Sequence, residues 1–362
     1  MGTGDGRVRL VDASTGVARW DVLCYPRSVQ KDGHSVAMSP DGRFVASVGG
    51  SEEGWKLLDA ESGVVCMTGA RHDGTGVCSC KVRKHGVEKG IRTALDAGCP
   101  VQAHTAGLRA VALSPCGLRL ATGGDDFTVI LWDAQDGKAE QVMHGHTRRI
   151  TSVSFSVDGA LLASGSLDGC IRVWDAATGA LLRAIDDDFD MELDGVHFSP
   201  ASRNVAGVGH VGSLVQWDVD SGAEICDFHG CSCAVFSPHG RTIATQDPSG
   251  ADVLVLDATT GAEQCRMVGH LHRIFALSWS VDGSELASGS YGTCKVWDSS
   301  TGALLRTMEL GGGIYSLCWG RDWVQDTERA VAFAMGHHPR LGAGSEVLGL
   351  DEELLRMVLD RG

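Results

Sequence analysis

Side chains that could together perform chemistry recur in this chain at matching spacings. One set consists of His146, Ser164 and Asp168. An imidazole, a hydroxyl and a carboxylate are the components of a hydrolytic triad, in which the imidazole activates the hydroxyl as a nucleophile. Related sets occur elsewhere, namely His104, Thr122 and Asp126, and then His270 and Ser288. Because one active site would occur once, the repetition favours structural hydrogen bonding over catalysis.

A second group of reactive side chains contains Cys78, Cys80, His85 and Cys99. Zinc is usually bound by four Cys or His ligands that come in two short pairs. The Cys-x-Cys spacing is too short for the usual zinc knuckle, and the later spacing is irregular. The pattern therefore favours spare thiols, and we expect neither a metal nor a cofactor.

The elements that position these residues repeat as well. Each repeat contains a Ser-Pro-Asp-Gly-like turn, an apolar strand, a second turn and a strand that ends in Trp-Asp. The Trp-Asp pair is present at Trp132-Asp133, Trp174-Asp175, Trp217-Asp218 and Trp297-Asp298, and the Asp alone at Asp12, Asp59 and Asp257. A period of about 40–45 residues with this signature is typical of one four-stranded blade per repeat.

In these motifs the chain resembles the WD-repeat β-propeller family over nearly its whole length. The resemblance implies an all-β fold, a seven-bladed propeller of four-stranded antiparallel blades. We assign residues 1–340 to the propeller. Six repeats have their first three strands in sequence order, which leaves one blade to be assembled from both ends of the chain.

Closure of this last blade is predicted from two incomplete strand sets. Ile314–Trp319 and Ala330–Met335 resemble the first and second strands of a blade that has no third strand. Residues 7–12, near the N-terminus, resemble a third strand that has no first or second. We therefore expect the N-terminal strand to close the seventh blade, which satisfies edge hydrogen bonds that an open ring would expose.

The resemblance also implies a role for the recurring polar side chains. In the family, the Trp indole donates to a strand Ser or Thr within a network that includes a His and an Asp. The residues that match this network are His104, Thr122, Asp126, Trp132, His146, Ser164, Asp168, Trp174, His270, Ser288 and Trp297. The turn after Ser288 is one residue shorter and has no Asp.

Two segments depart from the repeat. Residues 69–98, between blades 1 and 2, have β-type composition around a Lys-His-Gly turn. They are predicted to form an inserted hairpin, with a truncated eighth blade as the alternative. In the extension 341–362, Leu350–Leu359 has the apolar spacing and N-terminal acidic residues of a short amphipathic helix, which could dock on the propeller or bind a partner.

Partner-binding residues are expected on the top face, where partners of the family most often bind. Aligning the first strands places a mixed set of aromatic, basic and acidic side chains there. Its members are Phe275, Tyr291, Tyr315, Arg273, Arg149, Arg109, Asp194, Glu192 and Asp188. Phe275, Tyr291 and Tyr315 are the expected hot spot, because aromatic side chains are frequent interface anchors. The acidic residues form either a hydrated loop or a docking patch for a basic peptide.

Composition limits the class of partner and the compartment. The net charge is −15, which opposes binding to nucleic acid or to an anionic membrane. The 13 cysteines indicate a reducing compartment, because many of them fall inside predicted strands. We expect an intracellular protein, cytoplasmic or nuclear, that is monomeric or part of a hetero-complex.

These observations predict a non-enzymatic scaffold that binds peptide or protein partners on its top face. A ubiquitin-ligase substrate adaptor is an alternative, although none of the Trp-Asp sites continues with the Trp-Asp-x-Arg/Lys of such receptors. A reader of basic, histone-like tails is another. A propeller-type hydrolase is the least favoured, because the inner ring offers only His34 and Asp194 on non-adjacent blades.

Overall fold

The computed structural model describes residues 2–3, 7–13, 15, 17–25, 34–49, 53–69, 81–84, 87–88, 104–186, 192–209, 212–229 and 233–320. These residues form strands and turns and contain no helix, which confirms the all-β prediction. The chain divides into two compact units, Met1–Gly320 and Arg321–Gly362, and every described residue belongs to the first. The strand expected at Ala330–Met335 and the helix expected at Leu350–Leu359 lie outside the described residues.

The strands are numbered in chain order. The first nine are β1 Gly2–Thr3, β2 Arg7–Val11, β3 Ala18–Leu23, β4 His34–Met38, β5 Phe44–Gly49, β6 Glu53–Asp59, β7 Val65–Thr68, β8 Lys81–Lys84 and β9 Val87–Glu88. The next eight are β10 Leu108–Leu113, β11 Arg119–Gly124, β12 Val129–Asp133, β13 Ala139–Met143, β14 Ile150–Phe155, β15 Leu161–Ser166, β16 Cys170–Asp175 and β17 Leu181–Asp186. The last twelve are β18 Leu193–Phe198, β19 Asn204–Gly209, β20 Ser213–Asp218, β21 Glu224–His229, β22 Ala234–Phe236, β23 Thr242–Gln246, β24 Val253–Asp257, β25 Glu263–Met267, β26 Ala276–Trp279, β27 Glu285–Gly289, β28 Tyr291–Asp298 and β29 Leu304–Ser316.

Antiparallel pairing joins the described strands into six sheets. Sheet 1 has the order β4-β5-β6-β7-β8-β9, and sheets 2 to 5 are the four-stranded groups β10–β13, β14–β17, β18–β21 and β22–β25. Sheet 6 has seven strands in the order β26-β27-β28-β29-β1-β2-β3. The segment predicted to form an inserted hairpin thus contributes β8 and β9, which pair with each other and extend the outer edge of sheet 1.

The prediction of seven separate blades is wrong for the described residues, because the strands expected for the seventh are continuous with sheet 6. The cause is β29, which runs for 13 residues without interruption. Its first part pairs with β28, and its last residues pair with β1 at Gly2↔Ser316 and Thr3↔Ile314. The backbone N–H of Val36 in sheet 1 donates to Ser316 Oγ at 3.1 Å, which joins this sheet to sheet 1.

Apolar side chains from facing sheets bury one another around the ring. Between sheets 1 and 2, Trp55 and Trp132 meet edge to face with centroids 5.6 Å apart. Their cluster also contains Leu57 and Leu120. Another cluster, which includes Val8, Val36 and Val45, packs β2 against sheet 1. The N-terminal strand is therefore part of the core and not an appendage.

The Asp of each Trp-Asp pair organises the turn that follows its strand. Asp175 Oδ1 accepts hydrogen bonds from the backbone N–H and the hydroxyl of Thr178, both at 2.8 Å. Gly179 completes this turn with φ 72°, a conformation in which a Cβ would be strained. Asp298 and Thr301 repeat the arrangement, also at 2.8 Å. A short local motif thus ends each of these strands at a defined residue.

Candidate functional site

The structure joins the recurring polar residues into buried networks. In sheet 2, His104 Nε2 lies 2.8 Å from Thr122 Oγ1, and Trp132 Nε1 donates to the same oxygen at 2.7 Å. His104 Nδ1 lies 3.0 Å from both carboxylate oxygens of Asp126. The backbone N–H of Thr105 also donates to Asp126, at 2.8 Å. The network therefore connects the strands of one sheet to the segment that enters it.

Sheet 3 repeats the arrangement. Ser164 Oγ lies 2.8 Å from His146 Nε2 and accepts from Trp174 Nε1 at 2.8 Å. Asp168 lies 3.0 Å from His146 Nδ1. Ser164 has 0% of its surface exposed. A hydroxyl that is enclosed and engaged in this way is placed to stabilise packing and is not presented to a substrate.

The carboxylates of these networks have lowered pKa values, so they remain ionised at pH values below the ordinary pKa of an Asp side chain. Burial by itself raises the pKa of Asp126, but hydrogen bonds and charge from His104, with donors from Thr105 and Thr128, outweigh it and lower the pKa to about 2. Burial is likewise outweighed at Asp168, whose pKa is lowered by His146 and by backbone donors. Each carboxylate is thus stabilised by donors from its own sheet.

Sheet 6 contains a reduced copy of the network. His270 Nε2 lies 2.6 Å from Ser288 Oγ, which accepts from Trp297 Nε1 at 2.7 Å. In place of a carboxylate, Thr293 Oγ1 lies 3.5 Å from His270 Nδ1. Burial, with a contribution from the Lys295 charge, lowers the pKa of His270 to about 4. The shorter turn has thus replaced an ionic partner by a distant hydroxyl.

The three predicted hot-spot aromatics lie together, and we call them the aromatic cluster: Phe275, Tyr291 and Tyr315. The Phe275 ring centroid lies 4.9 Å from that of Tyr291, with the planes at 86°. It lies 5.1 Å from that of Tyr315, with the planes at 45°. Tyr291 is 51% exposed. Burial raises the pKa of the Tyr315 hydroxyl, and its hydrogen bond with Tyr291 adds to the effect.

Backbone contacts around Ser290 hold the aromatic cluster in place. The Ser290 hydroxyl donates to the carbonyls of His272 and Arg273 at 3.0 and 2.8 Å. The backbone N–H of Phe275 donates to Gly289 O at 2.8 Å. Ser290 O accepts from the N–H of Ile314 at 3.1 Å. Ser290 itself is 1% exposed, so a buried residue orients the three rings.

The cluster lies on one edge of the ring. Because successive strands are antiparallel, the turns between second and third strands share an edge with the connections into first strands. We call this edge the top face. Tyr291 begins β28 directly after such a turn, and Phe275 immediately precedes β26, the first strand of sheet 6. Leu118 and Val157 lie in turns between first and second strands, at the opposite edge.

The predicted charged residues of the top face are placed differently from one another. Arg273 and Arg149 are exposed, and neither has an ion pair within the ranges the structure describes. Arg109 is paired with Asp125, with Nη2 and Oδ2 3.0 Å apart. Three acidic residues were also predicted there. Glu192 pairs with Arg148 at 2.8 Å, and Asp194 is exposed. Asp188 lies outside the described residues.

Metal-binding geometry does not occur in the described part of the chain. No three His, Cys, Asp or Glu side chains there converge on one point. Cys78, Cys80, His85 and Cys99, whose spacing disfavoured a zinc site, lie outside it. Within the same ranges, there is no helix with the length and apolarity that crossing a bilayer requires.

Sequence reasoning missed two exposed apolar residues on the top face. Leu271 is 91% exposed and precedes the first strand of sheet 6. Phe127 is 43% exposed at the tip of the turn between β11 and β12. The sequence contained a signal for Phe127. In the next repeat the residue after the turn Asp168 is Gly169, whereas the residue after the equivalent Asp126 is the bulky Phe127.

With this geometry established, comparison with known proteins identifies the repeats. The family profile of the WD domain, G-beta repeat, matches residues 99–133, 137–175 and 262–298. The chain therefore contains three WD repeats. The three matched repeats are those that retain the His, the hydroxyl and the Trp of the network, as in His104, Thr122 and Trp132. Of the remaining sheets, sheet 4 keeps the Trp, as Trp217, and sheet 5 keeps the hydroxyl, as Thr245.

The relatives and the structural neighbour match different parts of the chain. WD repeat-containing protein 1 from Gallus gallus is 33% identical over 99 residues, which are 26% of this chain and 16% of that protein. Its Bos taurus counterpart is 32% identical over the same shares. The chain thus aligns with far less than two thirds of these relatives. The solved structure of U3-55K superposes with a TM-score of 0.65 at 16% identity, over 80% of this chain and 86% of that one. At that identity, the likeness concerns the fold alone.

Proposed function

We propose that this WD-repeat chain is a non-catalytic scaffold that binds a peptide or protein partner on its top face, at the aromatic cluster. The observation that carries the proposal is the contact of Phe275 with both tyrosines on a solvent-facing edge. WD-repeat propellers generally function in protein binding, and the fold is compatible with that role.

The physical support comes from the properties of such a cluster. Aromatic rings bury a large area for few rotatable bonds, and hot spots are enriched in Tyr and Arg. Tyr291 presents half of its surface to solvent, while Ser290 fixes the backbone beneath it. A prepositioned, exposed ring loses little conformational entropy on binding. Arg273, which precedes Phe275 in the connection into β26, adds a cationic donor at the border of the cluster.

We also propose an intracellular location. The nine cysteines that the structure describes are free thiols, which suits a reducing compartment. Burial raises the pKa of several, including Cys233 and Cys294, to about 12. These thiols therefore contribute as small apolar side chains.

The test is affinity purification from the native source with three forms of the chain. The first is intact, and the second carries Phe275→Ala and Tyr315→Ala. The third is a matched control with Leu118→Ala and Val157→Ala, which truncates side chains that are 51% and 60% exposed at the opposite edge. A partner retained by the intact and control forms and lost from the second supports the proposal. Identical partners on all three forms, or none on any, contradict it.

A further inference from the structure

Phe127 occupies a backbone conformation that a bulky residue rarely adopts. Its φ is 67°. Among the described residues, every other residue with a positive φ is a glycine. The equivalent turns of sheets 3, 4 and 5 place Gly169, Gly212 and Gly250 there, with φ of 82°, 89° and 81°. The hydrogen bonding is also equivalent, because Phe127 N donates to Gly124 O and Gly169 N to Ser166 O.

This conformation has a cost that the surroundings of Phe127 do not offset. When a residue with a Cβ adopts the left-handed backbone conformation, the ratio of folded to unfolded chain falls by a factor of roughly five to thirty. Phe127 belongs to none of the apolar clusters formed by the described residues, and 43% of it is exposed. Strain retained under such conditions points to a function of the side chain.

The turn presents the ring rigidly. On one side, Arg109 holds Asp125, and Asp125 N donates to Gly107 O at 2.7 Å. On the other, Thr128 N and Oγ1 donate to Asp126 Oδ1 at 3.2 and 2.8 Å. Both neighbours of Phe127 are thereby fixed, so ordering this turn on binding costs little conformational entropy.

We infer that Phe127 is a second anchor for the partner of the aromatic cluster and inserts into an apolar pocket of that partner. Phe127 and the cluster share the top face but belong to sheets 2 and 6, which are not neighbours in the ring. A partner that engages both is a folded protein whose surface covers several sheets, in contrast to a short peptide seated at one of them. This inference rests on the function proposed above.

The first test measures strain by urea unfolding of the whole chain. Phe127→Gly should have a folded-to-unfolded ratio about fivefold above that of Phe127→Ala, because only glycine relieves the strain. Gly169→Ala, at the matching turn of sheet 3, should lower the ratio of the wild-type chain by a similar factor. If Phe127→Gly is instead the less stable of the two, the backbone at residue 127 is not strained and the inference fails.

The second test locates the contact by photo-crosslinking in the native source. The photoreactive amino acid p-benzoylphenylalanine replaces Phe127, Tyr291 or, as the control at the opposite edge, Leu118. Support requires the same protein to be crosslinked at 127 and 291 but not at 118, and its affinity to fall at least fivefold with Phe127→Gly. Crosslinking at 291 alone, different proteins at the two sites, or unchanged affinity overturns the inference and leaves the proposed function standing. Crosslinking at neither top-face site contradicts both.

Discussion

The Tyr291 ring stands perpendicular to the Phe275 ring, with centroids 4.9 Å apart, although Tyr291 begins β28 and Phe275 lies immediately before β26. This contact depends on the short turn Ser290-Tyr291-Gly292, in which Gly292 has φ 74° and an open environment around its Cα. The turn that lacks the Asp of the polar network thus places an aromatic ring against the residue that leads into β26.

Tyr291→Ala should weaken partner binding by about 1 kcal/mol or more, because it removes half of this aromatic pair and its exposed area. Tyr291→Phe should retain most of the affinity, since it keeps the ring and removes only the hydroxyl bonded to Tyr315. Calorimetric titration with the captured partner measures both, and thermal unfolding checks that the fold persists. Equal losses from the two variants would place the interaction in the hydroxyl and not in the ring.

Ser164→Ala should destabilise the chain by about 1–3 kcal/mol, because Trp174 Nε1 and His146 Nε2 both lose their buried partner. Ser164→Thr should cost much less, since Thr122 occupies the same position in sheet 2. Urea unfolding compares the variants. A stability unchanged by alanine would show that the networks contribute little, and that their repetition needs another explanation.

His270 should make the chain less stable in mild acid. Its pKa in the folded chain is lowered to about 4 from 6.5, so the unfolded chain binds more protons between these values. The contribution of the neutral imidazole is complete above pH 6.5, and it is lost as the pH falls toward 4, by up to about 1.4 kcal/mol per pH unit. His270→Asn should flatten this part of the stability profile. A variant with the wild-type slope would assign the dependence to other groups.

Asp126 loses its charge in a lower pH range than the one in which His270 affects stability. Because its pKa falls to about 2 from 3.8, its contribution is present above pH 3.8 and disappears as the pH approaches 2. Asp126→Asn should therefore change the stability profile below pH 4, a range that lies below that of His270. This separation from His270 can be measured in the same set of unfolding experiments.

Val8→Ala should destabilise the chain by about 2 kcal/mol, because Val8 is 1% exposed in the cluster that joins β2 to sheet 1. Val17→Ala is the matched control from the same N-terminal segment, since Val17 is 64% exposed. Thermal unfolding should show a lower midpoint for the first variant alone. Equal midpoints would mean that the N-terminal strands do not contribute to the stability of the ring.

The repeat pattern predicted the blades because the interactions that define it are local. The Trp-Asp strands, the glycine turns and the pairs such as Ser164 with Trp174 lie within one sheet and within about one period of sequence. Aligning the first strands also brought Phe275 and Tyr315 to the same expected surface. Equivalent positions in a repeat occupy equivalent places in space, so an alignment of repeats carries three-dimensional information.

Other features depended on the tertiary structure. Sheet 6 became one seven-stranded sheet because β29 continues from Leu304 to Ser316 and pairs with β1 across almost the whole chain. The sequence alone determined the WD-repeat type, the turns and the polar networks, since these rest on short-range spacing. Only the tertiary structure decided where the sheets join, how the three aromatic rings meet and that Phe127 is strained. Those properties arise from packing between distant segments and from a backbone angle that residue type does not reveal.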